Sequence, residues 1–214
     1  MKRYLNIIAI GFLCMGMFSC KKDSFNYPEG TVGISKITNY PTFTINGDPF
    51  MSIIKGQSFT DPGATAKEGS NDLKVTVSGS VNTGVAGLYD VTYSAVNKDG
   101  FAGTAVRKVA VLPSAVVAGA TIAGDYNYAA GGTTSTVSML APGFFQASNI
   151  WSAATTISAY LISIDGKNII IPSQTNGFGT LSGTGTLDAN GNLQYVATIP
   201  EQGINNSVRK WVKK

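Results

Sequence analysis

Hydrophobic and polar positions follow two regimes along this chain. Near the start, Leu5 to Phe18 is an apolar run interrupted only by Asn6 and two glycines, with Lys2 and Arg3 before it and Ser19 and Cys20 after it. From about residue 40 the run gives way to short stretches in which apolar and polar residues alternate, punctuated by Gly, Asp, Asn and Pro. Alternation with period two puts successive side chains on opposite faces, so these stretches predict strands with one face buried.

"PTFTIN" runs into the turn cluster Asn46-Gly47-Asp48-Pro49, and "FMSIIKGQSF" into Asp61-Pro62-Gly63. "LKVTVSG" reads as one strand with Leu73, Val75 and Val77 inward. "GLYDVTYSAV" aligns Leu88, Val91, Tyr93 and Ala95, and "AVRKVAVL" closes the block. Strands at this spacing predict a β-sandwich over residues 39–112. Small residues at 113–120 form a linker. Over 121–214, "SAYLISIDGKNIIIP" predicts a hairpin at Asp165-Gly166, and "GTLSGTGTLDANGNLQYVATI" a second at Asn190-Gly191 with Leu193, Tyr195, Ala197 and Ile199 inward. The expected fold is all-β: an Ig-like sandwich followed by a second antiparallel domain, a curled sheet or partial barrel.

The first regime is a secretory signal over 1–19, with a basic start, a short apolar centre and a small residue at its end. Its 14 apolar-centred residues span roughly 21 Å as a helix, short of the ~30 Å bilayer core. Met17-Phe18-Ser19-Cys20 resembles the lipobox of bacterial lipoproteins, which implies acylation of Cys20 and cleavage before it. Acyl chains at ~0.8 kcal/mol per buried CH₂ make a lasting anchor. The expected place is the cell envelope, with outer-membrane lipid as partner through Cys20 and residues 20–38 as tether. Whether the chain faces the cell surface or the periplasm stays open.

Composition narrows the chemistry. Cutting 19 residues from 214 leaves 195, and losing Lys2 and Arg3 lowers the net charge from +4 to +2. Arg209, Lys210, Lys213 and Lys214 crowd the last six residues as a solvated basic end, and no basic stripe elsewhere suggests nucleic acid. The chain has no histidine, Cys14 leaves with the signal and Cys20 is the acylation site. A Ser-His-Asp triad, a free Cys nucleophile and the common zinc sites are thereby excluded. Asp125, Asp165, Asp188 and Glu201 offer no convincing catalytic pair, since Asp165 and Asp188 sit in turns. No catalytic residue, metal or cofactor is expected.

Within the sandwich block, Asp61-Pro62-Gly63-Ala64, Gly87, Tyr89, Val91-Thr92-Tyr93 and Gly100 occur in an order that resembles the bacterial Ig-like family of pesticidal crystal proteins and many surface proteins. The resemblance implies an Ig-like sandwich with a spacer or adhesive role. Lipobox, Ig-like block and C-terminal β domain together resemble cell-adhesion lipoproteins of the Bacteroidetes, whose C-terminal domain has no known function and which often sit beside glycan-uptake systems.

Sugar-binding modules stack a pyranose on an exposed ring and hydrogen-bond its rim. "PGFFQASNIWS" is the densest suitable stretch, with Phe144, Phe145 and Trp151 among Gln146 and Asn149. Tyr126 and Tyr128 share a strand face, and Tyr160 and Phe178 are further candidates. The competing reading is that these rings fill the C-terminal core. The sequence thus predicts a non-catalytic envelope lipoprotein that binds a polysaccharide, or alternatively a structural or adhesion protein that binds a surface protein by strand addition or surface packing.

Overall fold

The computed structural model describes residues 31–32 and 35–214; the leader and Cys20 lie outside the described residues. In the span read as a tether, Thr31–Val32 (β1) pairs antiparallel with Ser35–Lys36 (β2). From Asn39 to Lys214 two β bodies belong to one compact unit.

The first body is a sandwich. One sheet takes Thr42–Ile45 (β3), Ala64–Glu68 (β5) and Asn71–Leu73 (β6). The other is ordered Phe50–Ile54 (β4), Ala102–Leu112 (β9), Gly87–Val96 (β8) and Thr76–Ser78 (β7). In β8 the alternation holds, with Val91, Tyr93 and Ala95 buried. "LKVTVSG" departs from expectation. It is two strands, β6 and β7, in different sheets, and Val77 is 52% exposed. The chain crosses between sheets at Lys74–Val75, so a single alternation cannot run through it.

A buried cation organises the turns of this body. Arg107 on β9 is fully buried. Its Nε donates to the Asp48 carbonyl at 3.1 Å, while its Nη atoms bond the Asn46 carbonyl, the Asp61 carboxylate and, at 2.6 Å, the Tyr93 hydroxyl. The Tyr93 hydroxyl in turn donates to Asp61 at 2.6 Å. One side chain therefore ties the 46–48 turn to the Asp61-Pro62-Gly63 turn. Gly63 takes φ +81°, a left-handed conformation that glycine adopts without Cβ strain.

The second body is a closed barrel of eight strands: Gly124–Tyr128 (β10), Thr134–Ala141 (β11), Phe144–Ala147 (β12), Ala159–Ile162 (β13), Asn168–Asn176 (β14), Gly179–Leu187 (β15), Leu193–Ile199 (β16) and Ile204–Lys213 (β17). Each pairs antiparallel with the next, and β17 returns to β10 with Tyr128 opposite Trp211. Closure removes both free edges of the sheet. The interior is packed with side chains: Phe145, Leu161, Ile171, Tyr195 and Trp211 are all essentially inaccessible. Leu193, Tyr195, Ala197 and Ile199 of β16 point inward as their alternation predicts. Gly183 lets β16 come close, since a Cβ there would lie 2.1 Å from the Val196 carbonyl oxygen.

A second apolar cluster joins the two bodies. Ala110 and Leu112 of the sandwich pack with Phe144 and Ile162 from the outside of the barrel, with Phe50, Leu88, Val116 and Tyr160 around them. Phe144 and Phe145 are adjacent on β12 and so point to opposite faces: one enters this seam, the other the barrel. The 113–120 segment runs along the seam, with the Val117 N–H donating to the Ile164 carbonyl at 2.8 Å.

Candidate functional site

The aromatic stretch does not form an exposed platform. Phe144 and Phe145 are fully buried, and Trp151 is 8% exposed. The loop between β12 and β13 contributes Ile150, Trp151 and Ile157 to the barrel core. The Arg209 guanidinium lies 3.9 Å from the Trp151 ring centroid, on the face a pyranose would need. Asn149, proposed as a sugar-rim contact, instead holds the loop. Its Oδ1 accepts from the backbone N–H of Trp151 and Ile157, its Nδ2 donates to the Ser152 carbonyl, and its own N–H donates to Ser135 Oγ. Gln146 is half-buried opposite Tyr160.

Tyr126 and Tyr128 also turn inward. Tyr126 is buried and its hydroxyl donates to the Ile122 carbonyl at 2.7 Å, while half-buried Tyr128 sits 5.1 Å from the Trp211 ring. Burial pushes the Tyr126 phenol up. Of the seven candidates, then, Phe145, Trp151, Tyr126 and Tyr128 meet in the barrel core, Phe144 joins the seam, Asn149 is a loop keystone and Gln146 stands apart. None of the rings among these seven gives an exposed stacking face; of the two further candidates, Tyr160 packs against Phe50 and Phe144, and Phe178 is 42% exposed in the turn between β14 and β15.

Of the four acids in the barrel, Asp125 on β10 accepts from Thr136 Oγ1 at 2.7 Å, and the other three are bonded to backbone N–H groups. Asp165 accepts from the N–H groups of Asn168 and Lys167, and Asp188 from those of Asn192 and Asn190; these bonds hold both carboxyls below their ordinary values. Glu201 is lowered in the same way by the Thr180 N–H. In the sandwich, Glu68 is 5% exposed and is paired with the Lys98 ammonium, which also lies 3.6 Å from Asp99. The lysine hydrogen bond holds the Glu68 carboxyl low and raises the ammonium. Among the described residues no group of three acidic, Cys or His side chains is arranged to hold a metal.

What the seam leaves open is a groove of about 420 Å³ along β4, lined by Phe50, Met51, Ile53, Ile54, Val116 and Pro142 among others. β4 is the edge of its sheet, paired on one side only with β9 and in parallel. The Pro49 carbonyl accepts from Lys108 and the Lys55 N–H donates to Leu112, so odd-numbered residues face β9. Even-numbered residues face the free edge. Ile54 there is capped by Gln57, leaving Phe50 and Ser52 at the groove. The alternation along the core strands does not mark this seam. Its signal was the apolar outer face of barrel strands whose inner face was already apolar: Phe144 beside Phe145, and Tyr160 and Ile162 around Leu161.

Residues 43–111 match the family described as bacterial surface protein, Ig-like domain. That match covers the sandwich and supports a surface protein carrying an Ig-like domain, with a place in the cell envelope or at its surface. No curated protein matches the sequence. Among solved structures, a lipoprotein from Bacteroides thetaiotaomicron is 24% identical over 82% of this chain and 100% of its own, with a TM-score of 0.38. A chain of Clostridium perfringens ZmpB, with the module CBM51-2 in complex with GlcNAc and INT domains, is 14% identical over 72% of this chain and 29% of its own, at 0.28. A second ZmpB chain, with the M60 catalytic domain and two CBM51 domains, is 12% identical over 84% and 23%, at 0.31. The chain spans less than a third of either clostridial chain, and at these TM-scores the three likenesses transfer no function.

Proposed function

We propose that this is a non-catalytic envelope lipoprotein, anchored through acylated Cys20, whose sandwich and barrel act as one body that adheres to a partner surface protein by strand addition at β4. The observation that carries this reading is the free edge of β4 beside an apolar groove. An extended peptide laid there would pair its backbone with Phe50 and Ser52 and place alternate side chains in the groove. Polysaccharide binding loses the Trp151 platform that suggested it. The backbone bonding of Asp165, Asp188 and Glu201, which keeps each ionised, argues against a two-carboxylate glycosidase site in the barrel, since that chemistry needs one carboxyl held protonated.

The test is selection of a displayed library of extended peptides on the acylated chain and on its Ser52→Pro variant. Proline removes the outward N–H of Ser52 and leaves the β9 ladder intact. Selected peptides with alternating apolar residues should lose binding in Ser52→Pro. Equal binding by both proteins, or no selected peptide, would sink the strand-addition reading. The anchor is checked separately: Cys20→Ala should move the protein from the membrane fraction to the soluble one.

A further inference from the structure

A second recess in the seam is polar, and it is built from both bodies. A cleft of about 370 Å³ opens between β8 and β9 on one side and β13 and β14 on the other, with Asp90, Lys108, Tyr160, Ser173 and Thr175 in its lining. That volume lies in the range of small-molecule clefts, about 300–1,000 Å³, and junctions between bodies are where such clefts concentrate. We propose that this cleft binds a neutral, polyhydroxylated ligand, a hexose unit of a neutral glycan, by hydrogen bonds rather than by ring stacking.

Four observations carry the assignment. First, the charges cancel: the Lys108 ammonium reaches both oxygens of Asp90, at 2.8 and 3.0 Å. An anionic ligand would meet Asp90 with only a paired ammonium to offset it, and a cation would meet Lys108; a hydroxyl, which both donates and accepts, suits each partner. Second, β14 is re-aimed at this point. Its pairing with β15 slips between Ile171 and Gln174, so Ile171 and Pro172 are both buried, and Ser173 and Thr175 then turn outward and are exposed. A bulge of this kind serves to redirect side chains.

Third, the remaining amide in the wall is fully used. Gln174 Oε1 accepts from the Tyr160 N–H at 2.8 Å, and its Nε2 donates to the carbonyls of Tyr160 and Pro172. Gln174 thereby fixes the backbone of Tyr160 at the cleft and is a positioning residue, not a ligand contact. Fourth, the Tyr160 ring is already covered and is not a free stacking face. The Lys108 ammonium lies 4.9 Å from the ring centroid, and Phe50 and Phe144 pack at 6.2 and 5.7 Å. The polar side chains of the lining, the Asp90–Lys108 pair, Ser173, Thr175 and Tyr160, are the groups that would read the rim of a sugar.

The test is backbone-amide NMR of the full mature chain titrated with maltohexaose, cellohexaose and mannohexaose, with hexagalacturonate as the acidic control. At least one neutral hexasaccharide should shift the amides of Asp90, Lys108, Ser173 and Thr175. Its affinity should fall roughly tenfold in Asp90→Asn, the scale of a lost hydrogen bond to a charged group, and also fall in Tyr160→Phe. Both variants should fold, because an exposed ion pair adds little stability and Tyr160→Phe keeps the ring that packs on Phe50 and Phe144. Four results would overturn the proposal: no shift with any of the three neutral sugars, shifts confined to another surface, tighter binding of hexagalacturonate, or unchanged affinity in both variants. Peptide binding at β4 should survive Asp90→Asn, so failure here and failure of strand addition are read separately.

Discussion

The sandwich and the barrel are joined in one unit but are held together by different means. The sandwich fixes its turns with a buried charge: Arg107 gathers Asp61, Tyr93 and the carbonyls of Asn46 and Asp48. The barrel fixes itself with rings, and Tyr126, Phe145, Tyr195 and Trp211 fill its interior around a sheet with no edge. A sandwich whose sheets keep free edges holds its turns by directional bonds, whereas closure lets non-directional packing hold the barrel.

The largest effect is expected at Trp211. Trp211→Ala should cost the barrel about 5 kcal/mol, the upper end for a fully buried ring, read as a lowered urea midpoint by far-UV circular dichroism. Next comes Arg107→Met, which leaves the Asp61 carboxylate and two carbonyls without their partner and should cost about 3–4 kcal/mol. Both tryptophans lie in the barrel, so their fluorescence reports that body alone. In this variant, hydrogen exchange of β8 and β9 amides should quicken before tryptophan emission changes; simultaneous loss would mean that the seam makes the two bodies a single cooperative unit. Phe144→Ala tests the seam itself. About 3 kcal/mol should be lost, and the openings of sandwich and barrel should move further apart.

The smallest effects lie in pH. Glu68, Asp165, Asp188 and Glu201 all have lowered folded values, through bonds from Lys98, Asn168, Asn192 and Thr180 respectively. Their contribution is present above the unfolded carboxylate value of about 4 and is lost as pH falls through the lower folded values. Three of the four are in the barrel, so acid should weaken it more. At the other extreme, burial first and then the bond to Asp61 push Tyr93 up to about 12. The sandwich should keep that contribution below the unfolded tyrosine value of ~10 and lose it as pH rises through about 12. Melting temperatures across both limbs check the two signs.

Much of the fold was legible because alternation reports burial directly. "LQYVATI" became β16 with its inward set as read, and "GLYDVTYSAV" became β8 with Val91, Tyr93 and Ala95 inward but Leu88 on the opposite face, in the seam; the aspartates 165 and 188 bond within their turns. "LKVTVSG" misled because a change of sheet leaves no mark in a period-two pattern. The rings misled for a different reason. An aromatic residue carries the same letter whether it faces a sugar or a core, and only the closure of β17 on β10, a pairing of residues some 80 positions apart, puts Trp151 and Tyr126 inside. The seam was hidden in the same way, because apolar residues on both faces of β12 and β13 fit either a buried strand or two separate cores.

Closure of the barrel also imposes an order of events. A chain made from its N-terminus completes all the strands of the sandwich with Leu112, while β10 to β16 can form only an open sheet with two unpaired edges until Ile204–Lys213 arrives to join them. Until then the barrel strands are exposed to pairing with any other open strand nearby, and a sandwich already in place offers Phe50 and Leu112 as the nearest cover for the outer face of β12 and β13. The seam would then serve during assembly as an internal chaperone, holding a half-made barrel until its last strand closes it.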